Sequence, residues 1–188
     1  MKAIETKYKG YLFRSRLEAR WAIFFDTMGI EWEYEPEGFV LSDGTYYLPD
    51  FYLCTLRCYF EVKRKGIKDT EEGKKAIKKI RSGADEDSWA GIIAFGDPMD
   101  DDLLIFCQDV TDSSAGGYSN PVTIGIHPRY SIPYLFAYDD PIYRDFYSSL
   151  QEGTKIPMCS TEYGDYEYRN FMNERVIRAR MRARRARF

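Results

Sequence analysis

The sequence has little histidine or cysteine, and no hydrophobic run in it is long enough to cross a membrane. Its 188 residues include one His and four Cys. Cys54 and Cys58 form a C-x3-C pair, but no second pair follows at zinc-binding spacing, so reduced thiols are favoured over zinc or a disulfide. The longest apolar runs, WAGIIAFG and LLIFC, are far shorter than a membrane helix of about 20 residues. Because MKAIETKYKGY also lacks the apolar segment of a signal peptide, we expect a soluble intracellular protein.

The apolar content is high enough for a substantial core. Hydrophobic residues make up 44% of the chain and aromatic residues 16%. A chain of this length usually forms one domain with at most a small appendage. We predict a core over residues 1–110, an accessory region packed on it over 111–173, and an arginine-rich extension over 174–188.

Charge is distributed unevenly along the chain. The net charge is −3, yet residues 174–188 carry seven Arg and one Glu, which leaves −9 on the rest. Such a concentrated basic end predicts local contact with a polyanion, with nucleic acid favoured over an acidic protein. We expect this extension to be too basic to pack and to become ordered only on a partner. Its candidate nucleic-acid contacts are Arg178, Arg180, Arg182, Arg184 and Arg185.

Periodicity predicts a mixed α/β fold, with a central mixed sheet flanked by helices and a further α/β or helical portion before the basic tail. A helix is expected between a cap at Ser15 and a stop at Gly29. TYYLPDFYL and CYFEVK are expected to form a hairpin, followed by a lysine-rich helix and two buried strands, WAGIIAFG and LLIFCQDV. A strand in VTIGI and a helix beginning at Asp140 are expected later in the chain.

The predicted hairpin brings charged residues together. Glu61 and Lys63 are two residues apart and therefore project from the same face, whereas Val62 points away. Asp50 lies across the turn, about level with Glu61. Two carboxylates suit a hard cation such as Mg²⁺, with Mn²⁺ as a substitute, and the Val62 carbonyl can add an oxygen. Lys63 would orient or help deprotonate the attacking water and stabilise charge on the phosphate, so the set predicts phosphodiester hydrolysis.

These residues also carry a family resemblance. PD at 49–50, ten intervening residues and EVK at 61–63 resemble the signature of the PD-(D/E)XK, or restriction-endonuclease-like, nuclease superfamily. The segment FRSRLEARWAIFFDTMGIEWEYEP resembles the small phage and bacterial nucleases of that group, and the similarity covers about residues 8–95. Arg64 departs from the glycine that often follows the lysine there. The resemblance implies a metal-dependent DNA endonuclease, a hydrolase of the bacterial or phage-infected cytoplasm, with Glu18 as a further acidic site residue.

Several of these residues have two interpretations. Glu18 completes either a metal site or a capping box with Ser15. Arg14 and Arg16 contact phosphate or are simply solvent-exposed. The helix lysines either belong to a solvated face or follow a nucleic-acid backbone, and they are Lys74, Lys75, Lys78 and Lys79.

Three functions are consistent with these features. The favoured one is a nuclease whose catalytic residues are Glu18, Asp50, Glu61 and Lys63, acting on linear, branched or single-stranded DNA as a monomer, homodimer or larger assembly. The second is a nucleic-acid-binding or assembly module that keeps the nuclease fold without cleaving. The third is a regulatory or anti-defence protein that binds another protein through residues 111–188.

Overall fold

The computed structural model describes residues 3–87, 90–106, 120–126, 131–137, 158–159 and 174–188. Within these residues the chain is a mixed α/β protein, as the sequence predicts. The helices are α1 (Arg16–Met28), α2 (Glu71–Asp87) and α3 (Glu174–Arg185). The strands are β1 (Thr6–Tyr8), β2 (Tyr11–Phe13), β3 (Trp32–Tyr34), β4 (Phe39–Val40), β5 (Tyr46–Tyr47), β6 (Phe51–Leu53), β7 (Cys58–Lys63), β8 (Ala90–Phe95), β9 (Leu103–Phe106), β10 (Asn120–Ile126), β11 (Pro133–Ala137) and β12 (Met158–Cys159).

Eight of these strands form one mixed sheet in the order β12-β11-β10-β9-β8-β7-β6-β3. The β7–β8 and β11–β12 pairs are parallel and the other neighbours are antiparallel. The predicted hairpin is therefore confirmed as β6 and β7, and WAGIIAFG is confirmed as the central strand β8. Strands β10 to β12, from the predicted accessory region, extend this same sheet.

The sheet has an apolar cluster on each face, because side chains of successive strand residues alternate. Phe60 and Val62 of β7 join the larger cluster with α1 and α3. Ile93 and Phe95 of β8 join a smaller cluster with α2. Since Glu61 and Lys63 alternate with Phe60 and Val62, they lie on the α2 side of the sheet.

Helix α1 begins and ends where the sequence predicts. The Ser15 side chain accepts a hydrogen bond from the Glu18 backbone N–H, and Gly29 adopts the left-handed conformation with φ 71°. Trp21, Phe24, Phe25 and Met28 are buried in the larger cluster. Arg14, which lies just before α1, contacts Asp50. The start of α1 is therefore held next to the end of the sheet where Asp50 lies.

Helix α3 corrects the prediction that the arginine-rich end is ordered only on a partner. Small apolar residues at helical spacing, Val176, Ala179 and Ala183, are fully buried in the cluster that contains α1. Arg175 donates a 2.6 Å hydrogen bond to the Met28 carbonyl at the end of α1. A helix can bury one narrow stripe while its charged side chains remain in solvent, so its high charge did not prevent packing.

The acidic loop between β8 and β9 makes ion pairs to several elements. Asp97 lies 3.5 Å from Arg20, Asp100 2.5 Å from Lys65 and Asp102 2.6 Å from Lys68. Asp101 lies 2.6 Å from Arg180 of α3. These aspartates therefore connect α1, α3 and the segment after β7 to the sheet.

Three further predictions concern the cysteines, membrane helices and a helix at Asp140. Cys54 and Cys58 are free thiols. No helix in the described ranges has the length and apolar character to traverse a membrane. The helix predicted from Asp140 lies outside the described residues.

Candidate active site

The β6–β7 hairpin positions the first two candidate residues. Phe51 pairs with Phe60, so the residues next to them, Asp50 and Glu61, stand at the same level of the hairpin, as predicted. The Val62 backbone N–H donates a 2.7 Å hydrogen bond to Asp50 Oδ2. This bond fixes the Asp50 carboxylate against β7.

Asp50 is held by a cation as well as by the backbone. Its side chain is 5% exposed, and Arg14 Nη2 lies 2.7 Å from Oδ1. Arg14 Nε lies 2.8 Å from Glu35, so one guanidinium joins two carboxylates. Burial raises the pKa of Asp50 well above the usual aspartate range, and the charge of Glu61 raises it further, whereas Lys63 opposes the rise.

Glu61 is buried between a lysine and a tyrosine. The Lys63 ammonium donates to Glu61 Oε1, and the Tyr47 hydroxyl donates a 3.0 Å hydrogen bond to Oε2. Burial and the Glu61 carboxylate raise the pKa of the Tyr47 hydroxyl well above its ordinary value. Tyr47 therefore remains a hydrogen-bond donor to Glu61.

Lys63 is an ammonium group in this arrangement. Burial alone would lower its pKa, but the charges of Glu61 and Asp50 outweigh it, so the pKa of Lys63 is raised. A protonated lysine donates hydrogen bonds and stabilises negative charge, whereas a general base must first lose its proton. The geometry thus favours the electrostatic part of the role predicted for Lys63.

Glu18 takes part in the helix cap. Its Oε1 accepts a 2.7 Å hydrogen bond from the Ser15 hydroxyl. Its Oε2 accepts hydrogen bonds from the Tyr34 hydroxyl at 2.7 Å and from the Arg14 backbone N–H at 3.0 Å. Glu18 therefore fixes the backbone of the residue whose side chain holds Asp50.

The candidate catalytic residues line one cavity of about 740 Å³ between the β6–β7 hairpin, β5 and α2. Among the predicted nucleic-acid contacts, Arg14 and Lys75 also line it. Lys74 instead lies 3.4 Å from Glu71, and Arg16 is exposed outside the cavity lining. The lining residues are Arg14, Glu18, Tyr46, Tyr47, Leu48, Asp50, Glu61, Val62, Lys63, Glu72, Lys75, Ala76 and Lys79.

Two tyrosines of the site were not predicted from the sequence, and Lys79 was expected only as one lysine of a solvated or backbone-following helix face. Tyr47 and Tyr34 bind the carboxylates of Glu61 and Glu18, and Lys79 lines the cavity. Lys79 lies four residues after Lys75, and this helical spacing was a usable signal. The tyrosines gave no comparable signal, because their partners are 14 and 16 residues away in the chain.

The donor set of this cavity fits a hard divalent cation bound by two protein carboxylates. Asp50 and Glu61 are both buried, and the charge of Glu61 raises the pKa of Asp50, a repulsion that a bound cation would relieve. Mg²⁺ commonly uses one or two carboxylates and completes its shell with water and phosphate. Within the described ranges, no group of three or more His, Cys, Asp or Glu side chains is arranged to hold a metal, and the role of Glu18 as a further ligand stays a prediction.

The arginines of α3 have different surroundings. Arg178, Arg182 and Arg185 line a second cavity of about 770 Å³, together with Tyr8 and Ile23 of the core. Arg184 is exposed and its charge acts on Lys65.

Arg180 departs from the predicted nucleic-acid contact. It is 7% exposed and binds Asp101 at 2.6 Å and Thr123 at 3.0 Å. The reason is its position on the packed stripe of α3, which directs the guanidinium into the protein.

Neither a protein-family model nor a curated protein sequence matches the chain.

Proposed function

We propose that this protein is a metal-dependent nuclease of the PD-(D/E)XK, restriction-endonuclease-like type, which hydrolyses phosphodiester bonds in DNA. One observation carries the proposal: Asp50 and Glu61 are buried side by side in the β6–β7 hairpin with Lys63 on Glu61, and all three line one cavity. Burying two carboxylates at the same level of one hairpin is costly for folding, and such clusters, with a strongly raised pKa on one member, are concentrated at functional sites.

Asp50 and Glu61 would hold Mg²⁺ or Mn²⁺, with the Val62 carbonyl as a further oxygen donor. When bound, the metal supplies Lewis acidity toward a phosphoryl oxygen and activates water. Lys63 stabilises the negative charge that develops on the phosphate oxygens, since its raised pKa keeps it an ammonium. Tyr47 holds Glu61 in orientation through its hydroxyl. Glu18 positions Arg14, which lies at the edge of the same cavity.

A specific set of contacts favours a second candidate, a nucleic-acid-binding or assembly module that does not cleave. Each carboxylate oxygen of Asp50 and Glu61 already accepts a hydrogen bond from a protein donor. Both carboxylates therefore have partners without a metal ion. A module of this kind would bind DNA equally well with or without a divalent metal.

Incubation of the purified protein with a substrate panel distinguishes these functions. The panel contains supercoiled, linear, branched and single-stranded DNA together with RNA, each with Mg²⁺, Mn²⁺ or EDTA. Cleavage of DNA with metal and none in EDTA supports the nuclease. DNA binding that is the same in all three conditions, without cleavage, supports the module.

A further inference from the structure

The four lysines of α2 divide into two pairs by the face of the helix on which they lie. Lys74 lies 3.4 Å from Glu71, and Lys78 lies 3.9 Å from Asp43. Lys75 and Lys79 make no ion pair with any described residue, and both line the candidate active-site cavity. Because they are four residues apart, they stand one above the other along the cavity wall.

The other two cations that line the cavity are both paired with carboxylates. Arg14 pairs with Asp50, Lys63 with Glu61, and Glu72 with Arg64 outside the cavity. Glu18 is satisfied by hydrogen bonds from Ser15, Tyr34 and the Arg14 backbone. Lys75 and Lys79 are therefore the lining cations without an ion pair to a described residue, and the exposed carboxylate of Asp43, on which Lys79 acts, already pairs with Lys78. The wall formed by α2 is therefore an attractive surface for an anion.

We infer that Lys75 and Lys79 bind the phosphates that flank the scissile one, so that a nucleic-acid strand enters the cavity along α2. This inference rests on the proposed nuclease function and adds a backbone-binding wall to its site. The Cβ atoms of residues four apart on a helix lie about 6 Å from each other, so Lys75 and Lys79 can each reach one of two successive phosphates in a strand.

An aromatic residue beside this wall favours a nucleic acid over an acidic peptide. Tyr46 lines the same cavity from β5, and it is 62% exposed although it is a large hydrophobic residue. An exposed tyrosine beside basic side chains provides a surface on which a base can stack, and a carboxylate peptide offers it no such partner.

The two lysine pairs supply a matched experiment. The double variants Lys75→Gln/Lys79→Gln and Lys74→Gln/Lys78→Gln change the same helix by the same charge. Binding of a fluorescent 30-nucleotide single strand and of a 30-base-pair duplex is measured in EDTA over a series of NaCl concentrations, so that no cleavage occurs. Loss of two phosphate contacts should reduce the slope of log K against log salt by about 1.4 for the single strand or about 1.8 for the duplex. The cavity-facing variant should bind roughly tenfold more weakly at moderate salt. The outward-facing variant should retain the wild-type slope.

Three results would overturn the inference: equal slopes for the two double variants, a loss confined to the outward-facing pair, or competition by poly-glutamate as strong as that by DNA. The experiment is independent of catalysis. Metal-dependent cleavage with unchanged slopes would support the nuclease function and refute phosphate binding by Lys75 and Lys79. The predicted change in slope, without cleavage in any metal, would support phosphate binding by Lys75 and Lys79 and refute the nuclease function.

Discussion

Arg14 Nη2 lies 2.7 Å from Asp50 Oδ1. In the proposed site Asp50 is a metal ligand, and the Arg14 guanidinium already binds one of its two carboxylate oxygens. The charges of Asp50, Glu35 and Glu18 outweigh burial, so the pKa of Arg14 is raised and its charge is permanent. An incoming divalent cation must therefore compete with this side chain for Asp50.

Arg14→Gln should strengthen divalent-metal binding. The variant removes the competing cation from Asp50, and an ion pair with one exposed partner is worth up to about 1 kcal/mol, which corresponds to about fivefold in affinity. Isothermal titration of the DNA-free protein with Mn²⁺ measures the effect. Arg16→Gln is the matched control, because Arg16 is exposed and lies outside the cavity lining. Equal or weaker Mn²⁺ binding by Arg14→Gln would refute the competition.

Asp50→Asn should become more stable relative to the wild type as pH rises. The pKa of Asp50 is raised in the folded protein by burial and by Glu61. The wild type therefore loses stability as pH rises through that folded pKa, whereas the neutral asparagine has no such loss. Above the ordinary aspartate pKa of about 3.9, in EDTA, the difference in the free energy of unfolding should grow as pH rises. Urea unfolding at each pH measures it, and a constant or shrinking difference would contradict the assignment.

Glu18→Gln tests whether this residue is a cap or a metal ligand. The amide keeps one oxygen for the donors around it but loses the charge near the first turn of α1, so we expect a stability loss of about 1 kcal/mol. Mn²⁺ affinity should stay within about twofold of the wild type, whereas Glu61→Gln should lose at least about tenfold. If the two variants lose metal affinity equally, Glu18 is a ligand.

Arg180→Ala and Arg178→Ala should differ sharply although both remove one arginine from α3. Arg180 is buried against Asp101, and breaking a buried pair costs about 3 kcal/mol or more. Arg178 lines an open cavity, so its removal should change stability by less than about 0.5 kcal/mol. Thermal unfolding of the two variants compares them, and equal effects would show that the Arg180–Asp101 ion pair does not stabilise the packing of α3.

The sequence predicted best those features whose signals are local. Ser15 and Gly29 stand at the two ends of α1, and the alternation around Glu61 predicts its face and its level with Asp50. Capping chemistry and strand periodicity act over a few residues, so they are readable without the fold.

Features that depend on distant partners were missed or misjudged. In the sequence, Arg180 is not distinguishable from the other arginines of α3. It forms a buried ion pair only because the fold places Asp101 next to it. No sequence pattern around Tyr47 distinguishes it from the other tyrosines. The short strand pair β1 and β2 was also not predicted, because three-residue strands give too little periodicity. The two kinds of lysine on α2 became distinct only when the cavity was known.

The most direct test of the central claim is cleavage of DNA by the wild type and by Lys63→Ala, side by side in Mg²⁺, with circular dichroism to confirm that both are folded. We predict cleavage by the wild type that EDTA abolishes, and a loss of at least about 100-fold in rate for Lys63→Ala, since the ammonium stabilises the charge that develops in the transition state. Equal cleavage by the two proteins, or no cleavage by the wild type with any divalent metal, would contradict the proposed site.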